Sequence, residues 1–207
     1  MKTGRALLIS CVVILVCLAI VLGVTYALFS DTETLNHHLK AGKMDITLTR
    51  TNLVTTALDS TTGYLVKKES PDDVDFSNTT RNVFDIAEGS LVVPGSEYTA
   101  EMKISNNSDT AFAYWIEIRF DDKDDIPMAD QIEVKVTPHG KTVEPQLLSK
   151  GFTIGSETSP VGTLAKTASE DFSVNVKFLD NGVNNAAKGQ EVEFDLVIHA
   201  IQVKSAT

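Results

Sequence analysis

Four histidines, His37, His38, His139 and His199, are the only imidazoles in the chain, and they set the first test of its chemistry. Hydrolysis at a zinc ion needs neutral imidazoles close together and a carboxylate base, often spaced H-E-x-x-H on one helix. That spacing is absent. His37 and His38 are neighbours, so on a strand they point to opposite faces, a poor geometry for one metal. No Ser, His and Asp set can be singled out, and no glycine-rich phosphate loop is present. The densest acidic run, Asp121-Asp122-Lys123-Asp124-Asp125 with Asp130 nearby, offers oxygen ligands for Ca²⁺. It lacks the EF-hand spacing, and Lys123 interrupts it, so a solvated loop is expected there. The sequence assigns no catalytic residue, no metal ligand and no cofactor.

The elements that would have to position any site divide the chain unevenly. Lys2 and Arg5 are the only charged residues among the first thirty, and Ala6 to Ser30 is apolar or neutral. Positive charge ahead of a hydrophobic segment is the order of a secretory signal. Small residues three places and one place before a bond suit a signal peptidase, and Thr25 and Ala27 meet that need. The cut is therefore expected between Ala27 and Leu28. Two other readings compete. The run is long enough, at about 20 residues, to remain as a membrane anchor. Leu8-Ile9-Ser10-Cys11 resembles a lipidation motif, but its apolar lead is shorter than the roughly 7 residues such a region needs.

Loss of residues 1–27 removes two cations and leaves 16 Lys and Arg against 28 Asp and Glu, a net charge of −12. So acidic a surface repels phosphates, which sets nucleic-acid binding aside. Both cysteines, Cys11 and Cys17, lie in the apolar segment. The remainder has no disulfide framework and must hold together by a packed core and paired strands.

After Asp31 the hydrophobic period is close to two, the mark of half-buried strands. Met44, Ile46 and Leu48 alternate with polar residues, as do Tyr98 to Ile104, Phe112 to Phe120, Ile132 to Val136 and Phe172 to Phe178. Val192 to Ile198 gives the last run, continuing to Val203. Turn residues separate the runs, among them Pro94-Gly95-Ser96, Asn106-Asn107-Ser108-Asp109 and Asp180-Asn181-Gly182. Trp115 falls on the face opposite Phe112, Tyr114 and Ile116, where packing on a second layer is expected. Residues 56–82 are polar and turn-rich, and read as a surface insertion with one short strand at Tyr64-Leu65-Val66. The fold class is all-β: a single jelly-roll or β-sandwich domain, residues 42–207, preceded by a cleavable apolar signal helix, residues 1–27.

Several of these pieces together resemble the TasA/camelysin family of exported, biofilm-associated bacterial proteins. Thr25-Tyr26-Ala27-Leu28-Phe29-Ser30-Asp31 is similar to the family's junction at the cut site. Leu39-Lys40-Ala41-Gly42-Lys43-Met44-Asp45-Ile46 resembles its entry into the first core strand. Val93-Pro94-Gly95-Ser96, a strand, then Asn106-Asn107 follow in the family's order, and Phe194 to Gln202 resembles its closing strand. The resemblance implies a jelly roll, release by a signal peptidase of the SipW type, and assembly into extracellular matrix fibres. Camelysin relatives are also classed as metallopeptidases, which leaves an enzyme as the rival class.

A mechanism for assembly is open to such a chain. A sheet edge accepts another strand through its unpaired N–H and C=O groups. The expected donor is the new N-terminal arm, residues 28–41, with Leu28, Phe29, Leu35 and Leu39 as apolar anchors and no proline to block pairing. Extended at ~3.3 Å per residue, it spans about 45 Å, against a diameter of roughly 40 Å for a domain of about 165 residues. Insertion of each arm into the next subunit is head-to-tail and does not close, so a filament results. The expected partners are thus further copies of the chain, the signal peptidase during export, and an accessory matrix protein. The membrane enters only through the signal segment. Two alternatives remain open. The arm folds back within its own chain or is disordered, or the protein is a monomeric adhesin or fibre anchor. If cleavage is as read, mass spectrometry of the natural product should find Leu28 at its N-terminus; a product that retains residues 1–27 refutes it.

Overall fold

Alternation of apolar and polar side chains becomes strand throughout the computed structural model, which describes residues 40–41, 44–76, 82–86, 92–120, 126–182 and 184–203. The described residues belong to one unit, 32–207. Thr25, Ala27, Leu28, Phe29, Leu35, Leu39, His37, His38 and the 121–125 acidic run lie outside the described residues. Twelve strands are found among them, and every pairing is antiparallel: β1 (Lys40–Ala41), β2 (Met44–Leu58), β3 (Leu65–Ser70), β4 (Val74–Asp75), β5 (Glu97–Asn106), β6 (Phe112–Arg119), β7 (Ile132–Pro138), β8 (Gln146–Leu147), β9 (Phe152–Ile154), β10 (Gly162–Leu164), β11 (Ser169–Phe178) and β12 (Asp195–Gln202).

They form two sheets. The larger has the order β1-β2-β5-β11-β7-β8, with β3 and β4 also paired to β2. The smaller has the order β10-β6-β12, with β9 also on β6. The chain leaves β5 in one sheet for β6 in the other, returns to β7, and crosses again from β11 to β12. It also crosses from β8 to β9 and from β10 to β11, so consecutive strands repeatedly change sheet. Inward residues of both sheets share one core, in which Met102, Ile104, Val134, Val136 and Val174 face Phe112, Ile116, Ile118, Leu196 and Ile198. All-β is therefore the observed class.

Of the stretch 56–82 the structure describes residues 56–76 and 82, which include the end of β2, β3 and β4. β2 continues to Leu58 and turns through Asp59 to Tyr64, where the Asp59 carboxylate accepts from the Thr61 and Thr62 N–H groups at 2.9 Å. The short strand expected at Tyr64–Val66 is instead the six-residue β3. A bulge at Thr51 explains how one strand serves so long a span: Arg50 faces Met102 while Asn52 faces Glu101. The extra residue exchanges the faces, so that Ile46 and Leu53, seven positions apart, are both buried.

Just before the bulge, on the inward parity of Ile46 and Leu48, stands a cation. The Arg50 side chain has no exposed surface. Its Nη1 donates to the Val83 carbonyl at 2.7 Å, and its Nη2 to Asp72 at 3.1 Å and Asp85 at 2.6 Å. Asp85 holds a left-handed backbone, φ 52°, within a loop where Asn82 Oδ1 accepts from the Phe84 and Ile86 N–H groups at 3.1 Å. Val74, Phe76 and Phe84 are carried into the core by this segment. The Phe84 ring lies 6.4 Å from both Tyr98 and Phe194.

Close approach fixes a second position. A Cβ on Gly162 would fall 2.7 Å from a Glu170 carboxylate oxygen and 2.8 Å from the Tyr114 ring. Burial, with the Glu170 charge beside it, pushes the Tyr114 hydroxyl well above its ordinary pKa, so it stays protonated between the sheets.

Arg50→Ala strands two carboxylates and releases the segment they hold. It should cost about 3 kcal/mol in urea denaturation, the lower end for breaking a buried ion pair because both aspartates are partly exposed. Arg50→Lys should restore only part, since an ammonium lacks the planar fork. A loss below about 0.5 kcal/mol, typical of a surface substitution, would show that the buried cation holds nothing.

Candidate functional site

An open strand edge is the first feature that could act on a partner. β12 pairs along its full length with β6, from Asp195 opposite Arg119 to Gln202 opposite Phe112. Among the described residues no strand pairs with its other side. The other outer strands present less. β3 has six residues and carries Lys67, Lys68 and Glu69; β9 and β10 have three each, and β1, β4 and β8 two. β7 has β8 against Glu133 and Val134, and ends in Pro138. Charges, short length and proline are the ways in which sheets blunt their edges. β12 reads Asp-Leu-Val-Ile-His-Ala-Ile-Gln and has a single charged carboxylate, at its start.

The outer face of the smaller sheet adds a side-chain cluster. Trp115 and His199 are cross-strand partners whose rings stack in parallel, 5.0 Å apart and 1° from coplanar. Trp115 thus packs on a neighbour in its own sheet, and it is also among the partly buried side chains that pack against the core. Period two had placed it on this face but could not supply His199 as its cover. His199 Nε2 lies 2.6 Å from Glu117 Oε2, and Arg119 donates to both Glu117 oxygens at 3.3 Å. An open groove of about 320 Å³ beside the cluster is lined by Glu117, Arg119, Lys150 and Thr153 among others, with one carboxylate and no imidazole.

The turn at the root of the arm is the third feature. Asn106 is buried, and its Nδ2 donates to the Thr110, Leu164 and Ala165 carbonyls at 2.8, 3.1 and 3.0 Å. Its Oδ1 accepts from Ser108 N at 2.9 Å. Ser108 Oγ in turn accepts from Asp45 N at 2.6 Å, and Asn107 Nδ2 donates to Thr47 Oγ1 at 2.6 Å. The Asn-rich turn thereby clamps the start of β2, next to the point where residues 28–41 join the domain. Lys40 and Ala41, the last two of those residues, pair with Asp45 and Met44 of the same chain.

Metal chemistry finds no frame in these residues. Among the described residues no three His, Cys, Asp or Glu side chains gather to hold an ion. His199 is engaged by Glu117, and His139 is exposed on the turn that follows β7 in the other sheet. The described residues do not fit a catalytic zinc.

The Glu117 contacts have a pH signature. Burial pushes its carboxyl up, but hydrogen bonds from His199 and Arg119 outweigh this and hold it below the ordinary 4.5. A carboxylate with a depressed folded pKa stabilises the fold above its unfolded pKa and loses that contribution as pH falls through the folded value. The melting temperature should therefore drop as pH is lowered below 4.5, and Glu117→Gln should flatten that part of the curve. An unchanged slope in the variant would remove Glu117 from the acid response.

No curated protein matches the chain. The profile of the camelysin metallo-endopeptidase family, however, matches residues 4–207. That span takes in the apolar start, the junction after it and every strand described above, and the chain belongs to this family, also called the TasA family.

Proposed function

We propose that the protein is a secreted structural protein of the extracellular matrix, which polymerises when the N-terminal arm of one copy pairs with a sheet edge of the next. The observation that carries this reading is the eight-residue side of β12 that no strand among the described residues pairs with. Main-chain hydrogen bonds along such an edge give affinity, and alternate side chains give register. In an extended arm Phe29, Leu35 and Leu39 share one face, interleaved with Asp31, Glu33 and His37, so the donor offers separate apolar anchors along that face.

Cleavage between Ala27 and Leu28 by a SipW-type peptidase is the switch in this reading, because the arm fused to a membrane segment cannot enter a neighbour. Family membership supports the extracellular location and the matrix role at the level of the family. The family's description also supports a second reading, a metallo-endopeptidase. Casein hydrolysis by the purified product, abolished by a chelator, would favour that reading over the structural one.

Removing residues 28–39 from the purified mature chain should abolish filaments in negative-stain electron microscopy while leaving the melting transition in place. Size-exclusion chromatography should then show a monomer. Filaments of normal length from the shortened chain would end the donor-strand reading.

A further inference from the structure

Two seams between the sheets can be located from side-chain contacts. Lys141, on the turn after β7, donates to the Val161 carbonyl beside β10 at 2.6 Å, so β7 and β10 mark one side. β2 and β12, at the opposite ends of their sheets, mark the other. Along that seam lie Asp72–Phe76 and Asn82–Ile86. β4 pairs with β2 through Asp75 opposite Thr49 and Val74 opposite Arg50. Phe84 bridges the sheets, with Tyr98 of β5 on one side and Phe194, next to β12, on the other.

The segment makes only two backbone pairs with β2, and among the described residues none with β12. It is held instead by three buried apolar side chains, Val74, Phe76 and Phe84, and by the Arg50 guanidinium. Among the described residues, its contacts with the core margin are therefore largely through side chains. A strand that also formed main-chain bonds along β12 would offer the same apolar groups and satisfy the edge as well. The arm has three apolar residues of one parity, Phe29, Leu35 and Leu39, to set against those three, with Asp31, Glu33 and His37 on the same face between them.

We infer that Asp72–Phe76 and Asn82–Ile86 are an internal placeholder in the β2–β12 seam, and that the incoming arm of a second copy displaces them to reach β12. This rests on the donor-strand reading and adds its regulation: the Arg50 contacts set how readily the seam opens. The partner is a second copy of this chain, and the surface it occupies is the inner margin of β12 together with the space left by Phe84.

A disulfide that pins the placeholder provides the test. Thr49 and Asp75 are directly opposite in an antiparallel pair, where Cα atoms stand ~4.5–5.5 Å apart and a disulfide is accommodated. The domain beyond the signal segment has no cysteine of its own. The full chain bearing Thr49→Cys and Asp75→Cys is exported, and the secreted product is followed by light scattering and electron microscopy, oxidised and reduced. Loss of filaments on oxidation and their return on reduction are expected, with the same melting transition in both forms. Arg50→Ala, where it folds, should assemble sooner than the parent at equal concentration. If the unsubstituted chain makes no arm-dependent filaments, the donor-strand reading falls, and this inference with it. If the unsubstituted chain assembles and the oxidised variant does so at the same rate, only the placeholder is overturned.

Discussion

A cation with no exposed surface is the constraint on which the rest of this sandwich depends. Burying a guanidinium costs several kcal/mol unless its donors find acceptors. Arg50 finds three, all from one short stretch: the carboxylates of Asp72 and Asp85 and the carbonyl of Val83. Their geometry leaves that stretch little choice of path. It must pass across the inner margin of β2, and in doing so it lays Val74, Phe76 and Phe84 over the side of the core. Each of these apolar side chains contributes on the order of 2 kcal/mol by leaving water. The ion pairs place the apolar residues, and the apolar residues supply most of the free energy. Leu or Met at position 50 would fit the core margin without a desolvation cost, but it would not specify where residues 72–86 go.

The bulge at Thr51 makes this possible. Without an extra residue, a strand that buries Ile46 and Leu48 would turn Leu53 to solvent. With it, both halves of β2 serve the core. Arg50 comes in beside Met102 by the unbroken alternation from Ile46, and the bulge after it restarts the apolar face at Leu53. β2 can therefore carry partners on both sides, β5 on one and β1, β4 and β3 in succession on the other. The larger sheet is closed on that flank by short or charged strands. The smaller sheet is not, and the contrast between Lys67-Lys68-Glu69 on β3 and Leu196-Val197-Ile198 on β12 is the difference between a blunted edge and a receptive one.

Much of the fold was legible because period two survives wherever one face is buried and the other wet. β5, β6, β7 and β11 coincide with runs of alternation, and β12 begins three residues later than the pattern suggested, at Asp195 rather than Val192. β9 and β10 were not legible: three residues cannot display a period, and Gly162 reads as a breaker although it is a point of close contact with Tyr114 and Glu170. Arg50 gave no signal at all. In sequence it is one more polar residue in a polar stretch, and its role exists only once Asp72 and Asp85, 22 and 35 positions away, are folded against it. Of the candidate site, turn chemistry pointed to Asn106-Asn107-Ser108. It did not show that this turn grips Asp45 and Thr47, because hydrogen bonds over some sixty positions leave no local trace.

Charge bears on how copies of such a domain can associate. Beyond the signal segment the chain carries −12, so two copies repel at any distance where their fields are unscreened, and less so as salt shortens the Debye length to about 8 Å. Surface ion pairs between like-charged domains cannot supply the attraction. Backbone hydrogen bonds and apolar burial can, since neither depends on net charge. β12 offers both in one place: a row of peptide groups with no strand partner among the described residues, and the margin of a core covered there by Val74, Phe76 and Phe84. An acidic domain without cysteines is thereby suited to remain dispersed until a strand of the right pattern reaches it. The clamp of Asn107 and Ser108 on the start of β2 ensures that each domain's own arm departs from a fixed point. In the proposed assembly a fixed departure point matters, because the reach of an arm would help to bring the next domain to its edge only if its origin does not wander.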